Sequence, residues 1–357
     1  MENKWQHFVP QFYFRLFSND QSHIFGYHLK GKKHYWDKIS NQAAKNFFYG
    51  EHVEIEKDFS QIERRFNDVL KKILENGSLS GLTNEEYLEM LRFISFQHKR
   101  TESSKKAAED HVDKFYENVM KPFMKSNKEL MSKVAAEDID KTSLNYPAAF
   151  LMGVAYSLEA NILLIDLVPI LIESQSEEDF IFSDNPVVFY NLIYRDPSHP
   201  FEGIQYPALL VFCPISPKYC LFLFDPEYYG LNCEKGNILI LKNKEDIRKI
   251  NKLQFHNSFG NIYYENSINE AKVNELSKDF FSKYSKEGDL TQIREIKKWA
   301  GSNSSLVVLS GKGIPEKLEF SFLKCGKLKR SVPAVRNIKL HELFEEKTKN
   351  LFKQTPK

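Results

Sequence analysis

Apolar positions recur at helical spacing through most of the first 130 residues. In "FSQIERRFNDVLKKIL" they fall every three or four residues, which predicts an amphipathic helix that ends before "NGSLSG". The next predicted helix, "NEEYLEMLRFISFQHKR", starts with a capping box of Thr83 and Glu86. A third begins after Thr101 and runs to about Met124. Ahead of these helices, "HIFGYHL" and "HYWDKIS" flank the turn "KGKK" and predict a β-hairpin.

The hydrophobic pattern changes after residue 145. A buried helix is predicted at 147–166, followed by short apolar runs with turn residues between them: "PILIES", "DFIFSD", "PVVFYN", "ALLVFCP" and "YCLFLFD". These runs predict an antiparallel sheet, with "PISPK" as the turn between its last two strands. A helix over "KEDIRKINKLQFHNSF", a strand "NIYYE" and a charged helix at 267–284 follow.

Together the patterns predict an α+β fold: a mainly helical N-terminal half with one β-hairpin, then an antiparallel sheet with flanking helices and a small basic α/β C-terminal extension. The expected regions are 1–130, 145–290 and the extension 291–357, with residues 1–290 forming one body. A chain of 357 residues that is 42% hydrophobic can build a substantial core.

Charge is distributed unevenly along a chain whose net charge is only +2. Residues 291–357 hold 15 Lys and Arg against 6 Asp and Glu, so the extension is basic and the remainder acidic. This asymmetry predicts an anionic partner, nucleic acid first, and the alternative is a solvated basic face. The expected nucleic-acid contacts are the basic residues clustered in the extension: Lys297, Lys298, Lys327, Lys329 and Arg330.

The four cysteines form no C-x-x-C pair and have no zinc-site spacing to histidine, which predicts reduced thiols. The longest apolar stretch, "PAAFLMGVAYSLEANILLIDLVPILI", is interrupted by charged residues and a proline, so a buried helix and strand explain it better than a membrane span. With no signal peptide at the N-terminus, we expect a cytoplasmic protein without a membrane partner.

Several segments occur in an order that resembles a large family of uncharacterised bacterial proteins. They are "HFVPQFYFRLF" near the N-terminus, a Q-x-x-R helix end at 97–100 and an S-D-N-P turn at 183–186. The family's N-terminal pattern is H-x-V-P-x-x-Y-L-x-x-F, from which this chain departs at Phe14, a packing change from Leu. The resemblance covers roughly residues 5–265 and implies a cytoplasmic prokaryotic protein. It implies no reaction.

Gln97 and Arg100 lie at the predicted helix end. Three positions correspond to about 60° around a helix axis, so the two side chains share one face. A fixed guanidinium at this position can hold a phosphate or carboxylate through two hydrogen bonds. The alternative is that Arg100 ties the interhelical turn to a carboxylate or to helix-end carbonyls.

Asp184 ends the apolar strand "FIFSD", where metal-dependent nucleases keep one ligand, so this candidate includes a divalent metal such as magnesium. The residue equally suits an Asp-Asn-Pro turn, in which the carboxylate accepts local backbone N–H groups. A restriction-type nuclease also needs an E-x-K sequence on a strand. The matches "EIK" at 295–297 and "EAK" at 270–272 fall in charged, helix-like stretches, which counts against that class.

His7 is a candidate general base or substrate-orienting group, and the alternative is a buried, hydrogen-bonded structural histidine. Pro10 permits a short helix to begin near Gln11. Because Gln11 and Arg15 are four positions apart, they share a helix face and predict a polar edge beside the phenylalanines that pack.

Motifs of NTPases, dinucleotide-dependent enzymes, serine hydrolases and zinc peptidases do not occur in the sequence. The favoured hypothesis is a nucleic-acid-processing, nuclease-like effector of phage-defence or toxin type. In it His7 is the base or orienting group, Asp184 the metal ligand or base, and Arg100 the phosphate clamp. The rival is a non-catalytic sensor or interaction module for a small anionic ligand or a partner protein. An enzyme needs these residues to converge on one cleft, whereas a module leaves them as fixtures of turns and helix ends.

Overall fold

The computed structural model describes residues 4–51, 53–144, 146–195, 201–231, 237–285, 291–298, 305–311, 313–326 and 333–353. Its helices, in chain order, are α1 Gln11–Arg15, α2 Val53–Asn76, α3 Asn84–Lys99, α4 Glu102–Phe115, α5 Lys121–Ser126, α6 Lys128–Met131, α7 Ala136–Lys141, α8 Ala148–Ser157, α9 Lys244–Asn257, α10 Asn269–Lys283 and α11 Ile338–Lys353. Its strands are β1 Trp5–His7, β2 His23–His28, β3 Lys33–Lys38, β4 Ala44–Asn46, β5 Val168–Ser174, β6 Phe182–Ser183, β7 Val188–Asn191, β8 Leu209–Pro214, β9 Tyr219–Phe224, β10 Tyr229–Leu231, β11 Ile238–Leu241, β12 Asn261–Tyr264, β13 Thr291–Lys298, β14 Ser305–Gly311 and β15 Leu323–Cys325. A helical first half followed by sheets confirms the predicted α+β class.

The helices of the first half follow the local sequence signals closely. The capping box is confirmed, since the Thr83 hydroxyl accepts the Glu86 N–H at 3.2 Å and the Glu86 carboxylate accepts the Thr83 N–H at 2.7 Å. The helix expected from Thr101 to about Met124 is α4 and α5 joined by a π-helical turn at Tyr116–Met120. The helix predicted at 147–166 is shorter, because α8 ends at Ser157 and a 3-10 turn follows at Ala160–Leu164.

The largest sheet has five strands in the order β11-β5-β9-β8-β7. The predicted "PISPK" turn does join β8 to β9 as an antiparallel pair. The predicted strands β5, β7, β8 and β9 do pair antiparallel within this sheet. The strand β11, which the apolar runs did not predict, adds to the edge and pairs with β5 in parallel. The long connection between β5 and β11 lets the chain return to the same end of the sheet before it adds this edge strand.

The predicted hairpin is present as β2 and β3, with His23 opposite Lys38. It does not stand alone in the helical half. The strand β12 from the second half pairs with β2, and β6 pairs with β12, which gives a four-stranded sheet in the order β3-β2-β12-β6. The hairpin therefore ties the two halves of the sequence together.

Both faces of the five-stranded sheet are covered. Successive residues of a strand point to opposite faces. In β8, Leu209 and Val211 belong to the hydrophobic core that includes α1, α2, α3 and α8, whereas Leu210 and Phe212 belong to a second core with α9. This two-sided burial explains why the strands read as continuous apolar runs rather than alternating ones.

The described part of the extension packs against this body. Apolar side chains from residues 313–326, including Phe320 and Phe322, enter the second core. Arg336 binds both carboxylate oxygens of Asp166, at 3.0 and 3.1 Å. The expectation of helix-like structure at 295–297 is wrong, because these residues lie in β13, which pairs with β14. Among the described residues, no helix has both the length and the apolar character that crossing a bilayer requires.

Candidate functional site

A cleft of about 500 Å³ lies where the N-terminal segment meets α2. Its walls come from β1, α1, α2 and the turn that follows β3. The lining residues are Trp5, His7, Gln11, Phe12, Arg15, Ser40, Ser60, Glu63, Arg64 and Asn67. Its volume falls within the range of about 300–1,000 Å³ that is usual for small-molecule sites. The cleft holds His7 together with the polar edge predicted from Gln11 and Arg15.

Two cationic side chains reach the cleft from different helices. Arg15 ends α1 and donates to the Gln11 side-chain oxygen at 3.1 Å, while Arg64 lies on α2. Neither forms an ion pair with a carboxylate of a described residue. Arg65, the neighbour of Arg64, does lie 3.6 Å from a carboxylate oxygen of Glu89. The cleft thus carries two guanidinium charges without an internal counter-ion in the described structure.

The acidic residue of the cleft is already neutralised. Glu63 accepts a hydrogen bond at 2.6 Å from Arg100, and its side chain is 23% exposed. The positive partner in a close ion pair cancels most of the negative potential of the carboxylate. The net character of the cleft is therefore cationic.

The rings of Trp5 and His7 are fixed by a single carbonyl group. Trp5 Nε1 donates to the Ser40 oxygen at 2.8 Å, and His7 Nε2 lies 3.2 Å from the same oxygen. Burial lowers the pKa of His7 to about 4, against a smaller raising effect of the Ser40 hydrogen bond, and the charges of Arg100 and Arg15 lower it further. The ring is therefore neutral at pH 7. Because the carbonyl can only accept, Nε2 carries the proton and Nδ1 is an acceptor.

Arg100 follows α3 and is only 1% exposed. Each of its three nitrogens donates inside the protein: to the Tyr49 hydroxyl at 3.0 Å, to Glu63 at 2.6 Å and to the His7 carbonyl at 2.7 Å. The guanidinium carbon also lies 4.9 Å from the centre of the Phe96 ring. This arrangement corresponds to the interhelical tie rather than to an exposed phosphate clamp.

Gln97 is fully buried on the same helix face. Its amide nitrogen donates to the Phe8 carbonyl at 3.0 Å, and its amide oxygen has no hydrogen-bond partner among the described groups. Gln97 and Arg100 therefore hold two consecutive carbonyls, those of Phe8 and His7. The two side chains do share one face, as the spacing predicted, but both of them bind backbone carbonyl groups.

Asp184 lies away from the cleft lining and is buried. One carboxylate oxygen accepts the Phe259 N–H at 2.7 Å, and the other accepts those of Gly260 and Asn261 at 2.7 and 2.9 Å. These donors are not local to the S-D-N-P turn but belong to the segment that enters β12. Three bonds occupy most of the acceptor capacity of a carboxylate, so Asp184 fixes this backbone crossing.

Of the five predicted nucleic-acid contacts, the structure describes only two, and only their backbone. Lys297 and Lys298 end β13, where only the backbone is described, and Lys327, Lys329 and Arg330 lie outside the described residues. Among the described residues, no three His, Cys, Asp or Glu side chains are arranged to hold a metal ion. The predicted set therefore does not meet in one place: His7 lines the cleft, Arg100 and Gln97 lie behind it, and Asp184 is elsewhere.

Several cleft residues were missed from the sequence. Ser60, Glu63, Arg64 and Asn67 fall at positions i, i+3, i+4 and i+7, so they form one polar face of α2. This periodicity is visible in the sequence. It did not indicate a site, because the α1 wall that completes the cleft comes from a segment some 50 residues away, and a polar helix face is ordinarily just solvated.

In structural terms, the protein is an α+β body with a polar, cationic cleft at its N-terminal edge. A fold and a cleft of this kind do not specify a reaction. A family model described as "Protein of unknown function (DUF4238)" matches residues 5–267. The chain belongs to this family. The match begins at β1 and ends just after β12, so it includes the cleft and Asp184 and excludes the extension. Comparisons with curated proteins and with solved structures give no match.

Proposed function

We propose that this protein is a binding module whose N-terminal cleft holds a small anionic ligand. The observation that carries the proposal is the pair Arg15 and Arg64, which reach one cleft from two helices without an ion-pair partner among the described carboxylates. Guanidinium groups bind phosphate and carboxylate through paired, charge-assisted hydrogen bonds. A ligand with such a group would neutralise both charges at once.

The remaining polar groups suit the same ligand. The side chains of Gln11 and Asn67 can donate amide N–H groups, and His7 supplies an acceptor for a ligand hydroxyl or amino group. Glu63 does not oppose an anion, since Arg100 compensates its charge. Polar groups of this kind fix the orientation of a ligand in a site of this size.

Binding is favoured over catalysis by the placement of the other candidates. Arg100 and Asp184 each make three hydrogen bonds within the protein itself. A general base works best when its pKa lies near the working pH, and a histidine with a pKa of about 4 is a weak base at pH 7. These residues match the turn and helix-end fixtures that a non-catalytic module leaves.

The test is calorimetric titration of the full chain with inorganic pyrophosphate, for wild type, Arg15→Ala and Arg64→Ala. Removing one charge-assisted hydrogen-bonding group is expected to weaken binding about tenfold or more in each variant. Arg65→Ala is the matched control, because Arg65 is 56% exposed on the same helix and does not line the cleft. Binding that is absent in wild type, or equal in all four proteins, would overturn the proposal.

A nuclease-like effector, of phage-defence or toxin type, is the second candidate. It is favoured by the placement of His7 in the same cleft as two cations, since a histidine can transfer protons and guanidinium groups can stabilise charge that develops on a phosphodiester. Labelled single-stranded RNA, transfer RNA and DNA would be incubated with wild type, His7→Ala and the control His23→Ala, with magnesium or with EDTA. Cleavage that His7→Ala abolishes would support this candidate. No cleavage by wild type would remove it.

A further inference from the structure

The cleft contains an aromatic surface that anion binding alone does not require. Trp5 is 41% exposed although its indole N–H is bonded to the Ser40 carbonyl. The hydrogen bond fixes the plane of the ring, so its face is held in place rather than free to rotate. Trp5 and His7 are two positions apart on β1, which puts both rings on one side of the strand. Phe12 lines the same cleft.

We propose that the ligand is a nucleoside phosphate unit, whose base stacks on Trp5 and whose phosphate lies with Arg15 and Arg64. The inference rests on the proposed anion-binding function and adds the chemical class of the ligand. Exposed tryptophan faces next to cationic groups are the means by which proteins bind unpaired nucleotides without reading their sequence.

The preorganised ring strengthens the case for stacking. A free tryptophan side chain loses rotamer freedom when it stacks, and that loss opposes binding. Trp5 has already lost this freedom through its bond to Ser40. Trp36 offers an internal contrast, since it is 57% exposed but already stacked on His23 at 4.2 Å between ring centroids and lies outside the cleft.

The same chemistry occurs in free nucleotides and in single-stranded nucleic acid. The basic extension adds positive charge to the chain, which suits a strand, whereas the limited cleft volume suits a single nucleotide unit. Both sources present one base and one phosphate to the cleft. Separate arms of the experiment distinguish them.

The experiment titrates the full chain with AMP, ribose 5-phosphate and an eight-residue oligoadenylate. Wild-type protein is expected to bind AMP about tenfold more tightly than ribose 5-phosphate, because only AMP can stack. Trp5→Ala should abolish that difference by weakening AMP binding more than ribose 5-phosphate binding, and Trp5→Phe should keep most of the difference. Trp36→Ala is the matched control and should behave as wild type. In a Trp36→Phe, Trp299→Phe background, AMP should quench the fluorescence of Trp5.

The outcomes separate this inference from the proposed function. Equal affinity for AMP and ribose 5-phosphate, or AMP binding that Trp5→Ala does not alter, would overturn the stacking inference and leave the anion site standing. Failure of pyrophosphate and all three ligands to bind would overturn both. A Trp5-dependent preference for the oligonucleotide over AMP would support the inference with a nucleic-acid strand as the source, and the reverse preference would support it with a free nucleotide.

Discussion

Arg100→Met tests whether Arg100 holds the fold together or serves a ligand. The substitution keeps an unbranched side chain of similar length among the surrounding aromatic rings, so it removes the charge with little change in volume. Methionine cannot donate the hydrogen bonds that Arg100 makes to Tyr49, Glu63 and the His7 carbonyl. Glu63 would be left as a half-buried carboxylate without its counter-ion.

Removing one partner of a buried ion pair costs about 3–5 kcal/mol. The 23% exposure of the Glu63 side chain lets water solvate the orphaned charge, so we expect the lower limit, about 3 kcal/mol. Unfolding entropy of about 2.1 cal/mol/K per residue, taken over the 357 residues, converts this cost into a fall in Tm of about 4 °C.

The measurement is a thermal melt at pH 7 followed by circular dichroism or calorimetry. Arg65→Met is the control, because Arg65 is 56% exposed and its 3.6 Å ion pair with Glu89 is a surface contact. Its Tm should change by less than about 1 °C. If the melting temperature of Arg100→Met stayed within about 1 °C of wild type, the structural role would be refuted and Arg100 would again be a candidate ligand contact.

Three further predictions concern stability. Asp184→Asn should lower the free energy of unfolding by about 2–3 kcal/mol in chemical denaturation, because the amide nitrogen cannot accept the backbone N–H groups of residues 259–261. A denaturation midpoint equal to that of the wild type would contradict this prediction. As pH falls from 6.5 to about 4, unfolded His7 takes up a proton before folded His7 does, so His7 destabilises the fold progressively across that window and the loss is complete below it. His7→Gln should therefore lose less stability between pH 7 and pH 4 than the wild type does. An equal loss in the two proteins would count against the lowered pKa of His7. Burial raises the pKa of Glu202 to about 8, against the lowering effects of the Ile314 N–H and Arg195. The folded state then holds a proton between pH 4.5 and 8 that the unfolded state has released, so stability falls as pH rises through this window. The Tm of Glu202→Gln should therefore rise relative to that of the wild type as pH rises from 5 to 9. If the difference in Tm between the two proteins stayed constant over this range, the raised pKa of Glu202 would be contradicted.

The elements that could be predicted are those whose signals are local. The capping box at Thr83 and the turn between β8 and β9 each depend on a few consecutive residues, and both are present. The pairing of β12 with β2 and the parallel pairing of β11 with β5 join segments far apart in sequence. Hydrophobic period fixes which face of a strand is buried, but it does not specify the neighbouring strand.

The residues of the cleft divide in the same way, into those with a local sequence signal and those placed by tertiary packing. Helical spacing was enough to place Gln11 beside Arg15, and that pair does line the cleft. The opposite wall, with Arg64, is a matter of tertiary packing, and so is the burial of Arg100. A guanidinium at a helix end looks the same in sequence whether it faces water or three aromatic rings. Burial decides its role, and burial is set by distant segments.

The residues behind the cleft make a single activity measurement ambiguous. Arg100 holds the carbonyl of His7, the last residue of β1, and Gln97 holds that of Phe8 just after the strand. The Trp5 and His7 rings project from β1. Replacing Arg100 is therefore expected to weaken binding at the proposed site indirectly, by releasing β1, because the Arg100 side chain does not line the cleft. Residues that contact the ligand and residues that position β1 can be separated only with two measurements. Substitutions of the exposed contact residues Arg15 and Arg64 should reduce affinity at unchanged Tm, whereas substitutions of Gln97 and Arg100 should reduce affinity and Tm together.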